Sequence, residues 1–286
     1  MSTLWTVRKI LDWTVEYFQK KHLPDARLSA ELLLAHVLHL NRVELYLQFE
    51  RIVTPAERET FKALIQRRSQ REPLQYILGE AEFYGLRFKV TPDVLIPRPE
   101  TELLVDSIIE YLRQFPIEKP EILDIGTGSG CIAIAVKHQV PAAAVTAVDV
   151  SPAALDVARE NARIHEVDIE WIAGDGIRFL AETSSKFHVI VSNPPYIAEN
   201  EWASLQPEVK QFEPRQALVS GSTGLEFYEQ IIPLAGKRLH PGGRLVLEIG
   251  YNQGETVPRI METHGFRYEL KHDYQHINRV VIGYYE

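Results

Sequence analysis

Val189-Ile190-Val191-Ser192-Asn193-Pro194-Pro195-Tyr196 is an apolar, β-branched run that stops in a polar residue, two prolines and an aromatic. Such a run reads as a buried strand leaving its sheet. Each proline lacks an N–H and holds φ near −65°, so the chain can neither continue as a central strand nor relax into a helix. The first proline also pushes Asn193 out of the helical region. The turn is therefore stiff, with the Asn193 amide projecting from a strand end and the Tyr196 ring nearby. A carboxamide acceptor, a backbone carbonyl free of internal pairing and an aromatic lid suit a flat –NH2 group. A tight surface turn after a core strand is the plain alternative, and the upstream sequence decides between them.

Upstream, Glu121-Ile122-Leu123-Asp124-Ile125 reads as a strand and residues 131–137 as a helix, with Gly126-Thr127-Gly128-Ser129-Gly130 between them. Missing Cβ atoms let the backbone turn tightly there and let a ligand approach it closely. The loop lacks the Lys-Ser/Thr of a phosphate cradle, and its spacing is one residue shorter than the dinucleotide pattern G-x-G-x-x-G. About twenty residues on, Asp149 ends a second strand, where an acidic side chain can accept both hydroxyls of a ribose. A third strand end, Gly174-Asp175-Gly176, is placed to lie beside an adenine ring. A glycine loop alone is weak evidence. Loop, strand-end acid and Asn-Pro-Pro-Tyr, each following a strand of one parallel sheet, converge on a ligand site at the carboxyl ends of the strands. With no phosphates to neutralise, a nucleoside-type cofactor fits best, and S-adenosyl-L-methionine would bring an electrophilic methyl to the nitrogen-handling turn.

The rest of the chain frames that core. Strands near 145–149, 171–172, 189–191 and 245–247 alternate with helices at 151–162 and 225–239, the last ended by Pro241-Gly242-Gly243. This is βαβ order, so the expected fold class is α/β, a mostly parallel doubly wound sheet. Residues 267–270 and 279–284 add an antiparallel edge hairpin. Residues 1–72 carry apolar positions at helical spacing and are expected to form a small helical domain, with N-cap chemistry at Asp25, Ser29 and Thr54 before Pro55. The cluster Arg67-Arg68-Ser69-Gln70-Arg71 reads as a solvated helix end. Residues 73–99, broken by glycines and prolines, read as a hairpin linker, and a helix opens at Pro99-Glu100-Thr101-Glu102, where the acids suit a first turn. The third piece is 100–286.

At 286 residues, 45% hydrophobic and 24% charged, the chain can bury a full core. A net charge of −8 argues against broad binding to phosphate backbones. A single cysteine, Cys131, leaves no disulfide framework and suits a reducing compartment. No run approaches membrane-spanning length and residues 1–9 show no apolar signal core, so a cytoplasmic location is expected. The histidine pairs His36/His39 and His272/His276 lack a third ligand at a suitable spacing, and no metal is expected.

The order Asp124-Ile125-Gly126-Thr127-Gly128-Ser129-Gly130, Asp149, Asn193-Pro194-Pro195-Tyr196 resembles class I methyltransferases that modify planar amino or amide nitrogens. Pro73-Leu74-Gln75-Tyr76-Ile77-Leu78-Gly79, Glu82-Phe83-Tyr84-Gly85, Ile96-Pro97-Arg98-Pro99-Glu100-Thr101-Glu102 and Phe212-Glu213-Pro214 resemble, more specifically, the HemK/PrmC family, the N5-glutamine methyltransferases of peptide chain release factors. The resemblance implies a class I, Rossmann-like methyltransferase domain after a helical substrate-recognition domain. It implies that Gly126, Thr127, Gly128, Ser129, Gly130, Asp149, Asp175, Gly176 and Asn193 bind S-adenosyl-L-methionine. It further implies that Asn193, Pro194, Pro195 and Tyr196 hold the glutamine of a Gly-Gly-Gln loop. One departure stands out: some relatives carry an aromatic or large apolar residue after the strand-end acid, where this chain has Gly176, which leaves Ile177 or Phe179 to cover the base, with Trp171 kept in the core.

An amide nitrogen is a poor nucleophile, and no side chain of the Asn-Pro-Pro-Tyr turn is a strong base. Orientation is then the main lever: the Asn193 oxygen and the Pro194 carbonyl would accept the two N–H bonds of the glutamine amide, and Tyr196 would pack on its plane, so that Asn193, Pro194 and Tyr196 are the catalytic candidates. An exocyclic base amine satisfies the same turn, so an N6-adenine or N2-guanine nucleic-acid methyltransferase is the rival. Acidic balance and the absence of an inserted base-reading domain weigh against it. A non-catalytic module with a retained cofactor fold is a second rival, and a ribosomal-protein glutamine methyltransferase is the nearest variant.

Overall fold

The computed structural model describes residues 4–284. The chain divides into two compact units, Met1–Gly79 with Gln206–Phe212, and Glu80–Leu205 with Glu213–Glu286.

The first unit is helical: α1 (Val7–Lys20), α2 (Ala26–Leu38), α3 (Arg42–Leu47), α4 (Pro55–Ser69) and α5 (Leu74–Leu78). Local chemistry sets the starts. Thr54 and Asn41 each form a reciprocal capping box, with Glu57 and Glu44, and Pro55 occupies the first helical position, where no N–H is needed. Asp25 precedes α2 in a left-handed conformation but its side chain makes no cap bond, and Ser29 lies buried inside the helix, so neither caps it. The core gathers Leu11, Phe18, Leu33, Leu34, Leu45 and Phe61, all fully buried. Each such side chain contributes about 1.5–3 kcal/mol relative to exposure.

The arginine cluster at the end of α4 is solvated only in part, with Arg67 and Gln70 exposed and Arg68 buried. Arg67 pairs with Glu72 at 2.5 Å, while Arg68 is 5% exposed and donates to the Glu72 carbonyl at 3.1 Å. Arg68 and Arg71 both face Glu208, at 3.6 and 3.2 Å. A buried guanidinium needs such partners, and residues 206–212 supply the carboxylate.

The second unit begins with the hairpin β1 (Glu80–Phe83) and β2 (Leu86–Lys89), followed by α6 (Glu102–Gln114). Then come β3 (Glu121–Ile125), α7 (Cys131–Gln139), β4 (Ala144–Asp149), α8 (Pro152–Ile164), β5 (Glu170–Ala173), α9 (Gly176–Glu182) and β6 (Phe187–Ser192). After α10 (Pro207–Phe212), which belongs to the first unit, follow α11 (Glu226–Arg238), β7 (Leu239–Glu248), α12 (Thr256–Thr263), β8 (Arg267–His272) and β9 (Asn278–Tyr284). The sheet order is β5-β4-β3-β6-β7-β9-β8, parallel through β7 and antiparallel at β9 and β8.

Strand alternation divides the apolar residues between two layers. Ile122, Val189, Val191 and Val246 face α6 and α7, and Leu123, Ile190, Leu245 and Leu247 face α11 and α12. Covered on both faces, the strands are nearly continuous hydrophobic runs. Pro241-Gly242-Gly243 does not sit beyond the helix end as a separate stop: β7 begins at Leu239 and includes it, with a register shift on the partner strand between Phe187 and Val189. That pairing absorbs the proline and glycines as an irregularity rather than a loop.

Candidate active site

The chain runs from β3 to β4 to β5 on one side and returns to β6 on the other, so the carboxyl ends of β3, β4 and β6 border the switch point where such sheets bind ligands. A cleft of about 350 Å³ opens there.

Its floor is the loop after β3. Gly126, Gly128 and Gly130 have φ of 73°, 56° and 80°, a region in which a Cβ is strained. The Gly126 and Thr127 N–H groups donate to the Val148 carbonyl at 2.8 and 3.2 Å, folding the loop back over β4. Gly126 and Gly128 line the cleft. Thr127, Ser129 and Gly130 build the loop from behind. The Thr127 hydroxyl donates to Asp124 Oδ2 at 2.6 Å, and the Ser129 carbonyl accepts from Asn161 Nδ2 at 2.9 Å. A Cβ on Gly130 would lie 3.2 Å from Trp171, which closes that packing. Asp124 is fully buried, its Oδ1 has no hydrogen-bond partner among the described residues, and burial pushes its carboxyl up to about 7.

Asp149 lies at the end of β4 with both oxygens oriented by backbone: Oδ2 accepts the Gly128 N–H at 2.8 Å and Oδ1 the Ser151 N–H at 2.9 Å. Each oxygen keeps a second lone pair for a ligand hydroxyl. Asp175 caps α9, accepting from Ile177 and Arg178 at 2.8 and 3.0 Å. A Cβ on Gly176 would stand 2.3 Å from Cγ2 of Ile125, so a side chain there would clash with the end of β3. Ile177 lines the cleft in its place, joined by Phe227, whereas Phe179 packs on the core beneath.

At the β6 end, Asn193 and Pro195 line the cleft, Pro194 is buried and Tyr196 is partly buried behind them. Asn193 Nδ2 donates to Thr101 Oγ1 at 3.0 Å, and the Thr101 hydroxyl donates to Glu248 Oε2 at 2.6 Å. Tyr196 donates to Glu248 Oε1 at 3.4 Å, and burial raises the phenol well above its ordinary value. Among the described residues, nothing donates to Asn193 Oδ1 or to the Pro194 carbonyl. Gln253 secures the turn, its Nε2 donating to the carbonyls of Tyr196 and Gly224, both at 3.1 Å.

Asp93, Asp149 and Asp175 line the cleft and no lysine or arginine does. That donor set suits a nucleoside carrying positive charge and rejects phosphates, so the residues present fit S-adenosyl-L-methionine. Sequence reasoning missed Asp93, Gln216 and Phe227 on the walls, and Thr101 and Glu248 behind them. Glu248 was legible in one respect, as an acid ending an apolar strand like Asp149. Glu213, 7% exposed, holds a further wall by pairing with Arg98 at 2.5 Å just before Pro214. Glu121, His188 and His240 bring a carboxylate and two imidazoles together at the opposite, amino ends of the strands. His188 Nδ1 there already accepts the Glu121 N–H at 3.0 Å, so the group ties strand ends together.

Residues 9–79 match the family model of the PrmC N-terminal domain and residues 100–209 that of the methyltransferase small domain. The chain is 47% identical over 263 residues to the release factor glutamine methyltransferase of Geobacter sulfurreducens, covering 92% of this chain and 90% of that one. It is 44% identical over 283 residues to that of Chlorobaculum tepidum, covering 96% of each. Among solved structures, the hMettl16 catalytic domain in complex with the MAT2A 3'UTR hairpin 6 matches with a TM-score of 0.57 at 16% identity, over 78% of this chain and 82% of that chain. At that identity the likeness shows the fold alone.

Proposed function

The chain belongs to the release factor glutamine methyltransferases, and from that membership we propose that its cleft methylates the N5 amide nitrogen of the glutamine in the Gly-Gly-Gln loop of peptide chain release factors, in the cytoplasm. The enzyme is an S-adenosyl-L-methionine-dependent protein-glutamine methyltransferase. No helix among the described residues is long and apolar enough to cross a membrane.

When bound, the cofactor supplies an electrophilic methyl group on a sulfonium sulfur. Gly126 and Gly128 would give its chain close access to backbone, Asp149 would accept the ribose hydroxyls, and Asp175 with Ile177 would flank the adenine. On the substrate side, Asn193 Oδ1 and the Pro194 carbonyl accept the two amide N–H bonds, which turns the nitrogen face toward the cofactor. Tyr196 backs the turn from beneath. The observation that carries this reading is the tether from Asn193 Nδ2 to Thr101, which leaves the oxygen end of the carboxamide unpaired on the cleft. Alignment of two reactants can supply on the order of 7 to 11 kcal/mol. Acceptors that hold the nitrogen more strongly as it becomes positive add stabilisation of the transition state.

The test is methyl incorporation from labelled S-adenosyl-L-methionine into a purified release factor, beside its loop Gln→Ala variant and a DNA duplex. Label in the native factor alone is expected. Label in the duplex, or equal label in the Ala variant, overturns the reading in favour of an exocyclic base amine or another acceptor.

A further inference from the structure

Glu248 is a fully buried carboxylate that the mechanism above does not use. It ends β7, beside β6; it meets the substrate turn directly at the Tyr196 hydroxyl and reaches Asn193 only through Thr101. We propose that Glu248 and Thr101 are positioning residues for methyl transfer: through Glu248 Oε2, Thr101 Oγ1 and Asn193 Nδ2 they fix which end of the Asn193 carboxamide faces the glutamine amide. The proposal rests on the reading that Asn193 accepts from that amide.

Donor counting sets the orientation. A hydroxyl has one proton to give. With Glu248 ionised it can only accept, so the Thr101 proton points to Oε2 at 2.6 Å and the Thr101 oxygen is left to accept from Asn193. Only the Nδ2 end of the carboxamide satisfies that, at 3.0 Å, and Oδ1 is turned outward. If Oε2 is protonated, it donates to Thr101, the Thr101 proton is released toward Asn193, and the reversed carboxamide becomes the better partner. A reversed amide would present N–H to N–H across the cleft. Glu248 is therefore the proton-sensitive end of a two-position device.

The groups around Glu248 come from several elements. Glu100 and Thr101 face it from the turn before α6, Tyr196 from the loop after β6, and Arg279 from β9. Tyr228 on α11 donates to its backbone carbonyl at 2.8 Å, and Cys131 at the start of α7 also senses its charge. Burial first, and Glu100 after it, push the Glu248 carboxyl up to about 7, against the Thr101 and Tyr196 hydrogen bonds and the Arg279 charge.

The experiment compares kcat on a purified release factor, cofactor affinity by calorimetry and the pH profile for wild type, Thr101→Val, Thr101→Ser, Glu248→Gln and Asn193→Ala. Thr101→Val is expected to lower kcat about 10- to 100-fold, in keeping with a small misplacement of a reactant, with the cofactor dissociation constant nearly unchanged, and Thr101→Ser to recover most of it. Wild-type kcat is expected to fall roughly tenfold between pH 8 and pH 6, as a carboxyl near 7 takes up its proton. In Glu248→Gln that fall shrinks below about twofold, because an amide cannot titrate. The Asn193 side-chain NH2 resonances, identified by their loss in Asn193→Asp, are expected to shift through pH 7 in wild type but not in Glu248→Gln. An unchanged acid limb in Glu248→Gln, or wild-type kcat in Thr101→Val, overturns the proposal. Turnover retained by Asn193→Ala strikes instead at the site reading on which it rests.

Discussion

Ile125 and Gly176 are in contact at a distance that excludes a methyl group: a Cβ built on Gly176 falls 2.3 Å from Ile125 Cγ2. The isoleucine is β-branched, 1% exposed and held at the end of β3, so it cannot swing aside. Gly176→Ala is expected to cost about 1–3 kcal/mol of stability by overpacking and to weaken cofactor binding, because the displaced atoms line the cleft. Urea unfolding and calorimetry check both, and an alanine variant with wild-type stability would show that the strand end yields.

Asp149 does two tasks at once, holding the glycine loop through the Gly128 N–H and facing the cleft. Hydrogen bonds to a charged group contribute roughly 1.5–3 kcal/mol. Asp149→Ala is therefore expected to raise the S-adenosyl-L-methionine dissociation constant about 10- to 100-fold. An unchanged constant by calorimetry would remove the ribose role.

The Asn193 side chain bonds away from the cofactor loop, through Nδ2 to Thr101. Asn193→Ala is expected to lower kcat by about 100-fold or more, the scale seen when one polar contact to a reacting group is removed, while cofactor affinity stays nearly intact. Parallel loss of turnover and affinity would show that the residue serves the cofactor instead.

Glu208 is the carboxylate between Arg68 and Arg71, with its side chain 12% exposed. Glu208→Ala strands a buried guanidinium and is expected to destabilise the full chain by roughly 1–3 kcal/mol. Arg68→Met in the same background should recover part of that loss, since it removes the stranded charge. Thermal unfolding of the two variants reads the difference directly.

Glu248 gives a pH dependence of stability with a definite sign. Its folded carboxyl lies near 7 because of burial, above the 4.5 of an exposed glutamate. Between those values the native state holds a proton that the unfolded chain releases, so stability falls as pH rises from about 4.5 to about 7. The contribution is about 3 kcal/mol. Glu248→Gln should lack it: relative to wild type the variant is expected to gain stability between pH 5 and pH 8 in urea titrations, and parallel curves would contradict the raised value.

The α/β fold was legible because its signals are local. Ile122-Leu123, Val189-Ile190-Val191 and Leu245-Val246-Leu247 are strands buried on both faces, and runs of that kind need no partner to be recognised. The edge hairpin was legible for the same reason. Two misreadings came from interactions that local pattern cannot carry. Arg68 and Arg71 resemble a solvated helix end until Glu208 arrives from 137 residues away to meet Arg71. The proline-glycine-glycine of β7 looks like a helix stop, yet pairing with β6 draws it into the sheet. The site divides in the same way. Gly126, Gly128, Asp149, Asp175, Gly176 and Asn193 are strand-end residues and were found as such, and the cleft brings them together. Thr101 and Glu248 escaped notice because their bond spans 147 residues, and Thr101 bonds Asn193 across 92.

Residues 206–212 group with the helical unit although the chain on both sides of them belongs to the other. The backbone thus crosses between the units three times, at 79–80, 205–206 and 212–213. A gene cut once near residue 79 would not separate the units into two self-contained parts. The amino-terminal fragment would lose the acid that its arginines face, and the remainder would carry a seven-residue orphan. Exchange of amino-terminal halves between relatives has to preserve that match. The two units are therefore expected to be inherited as one module.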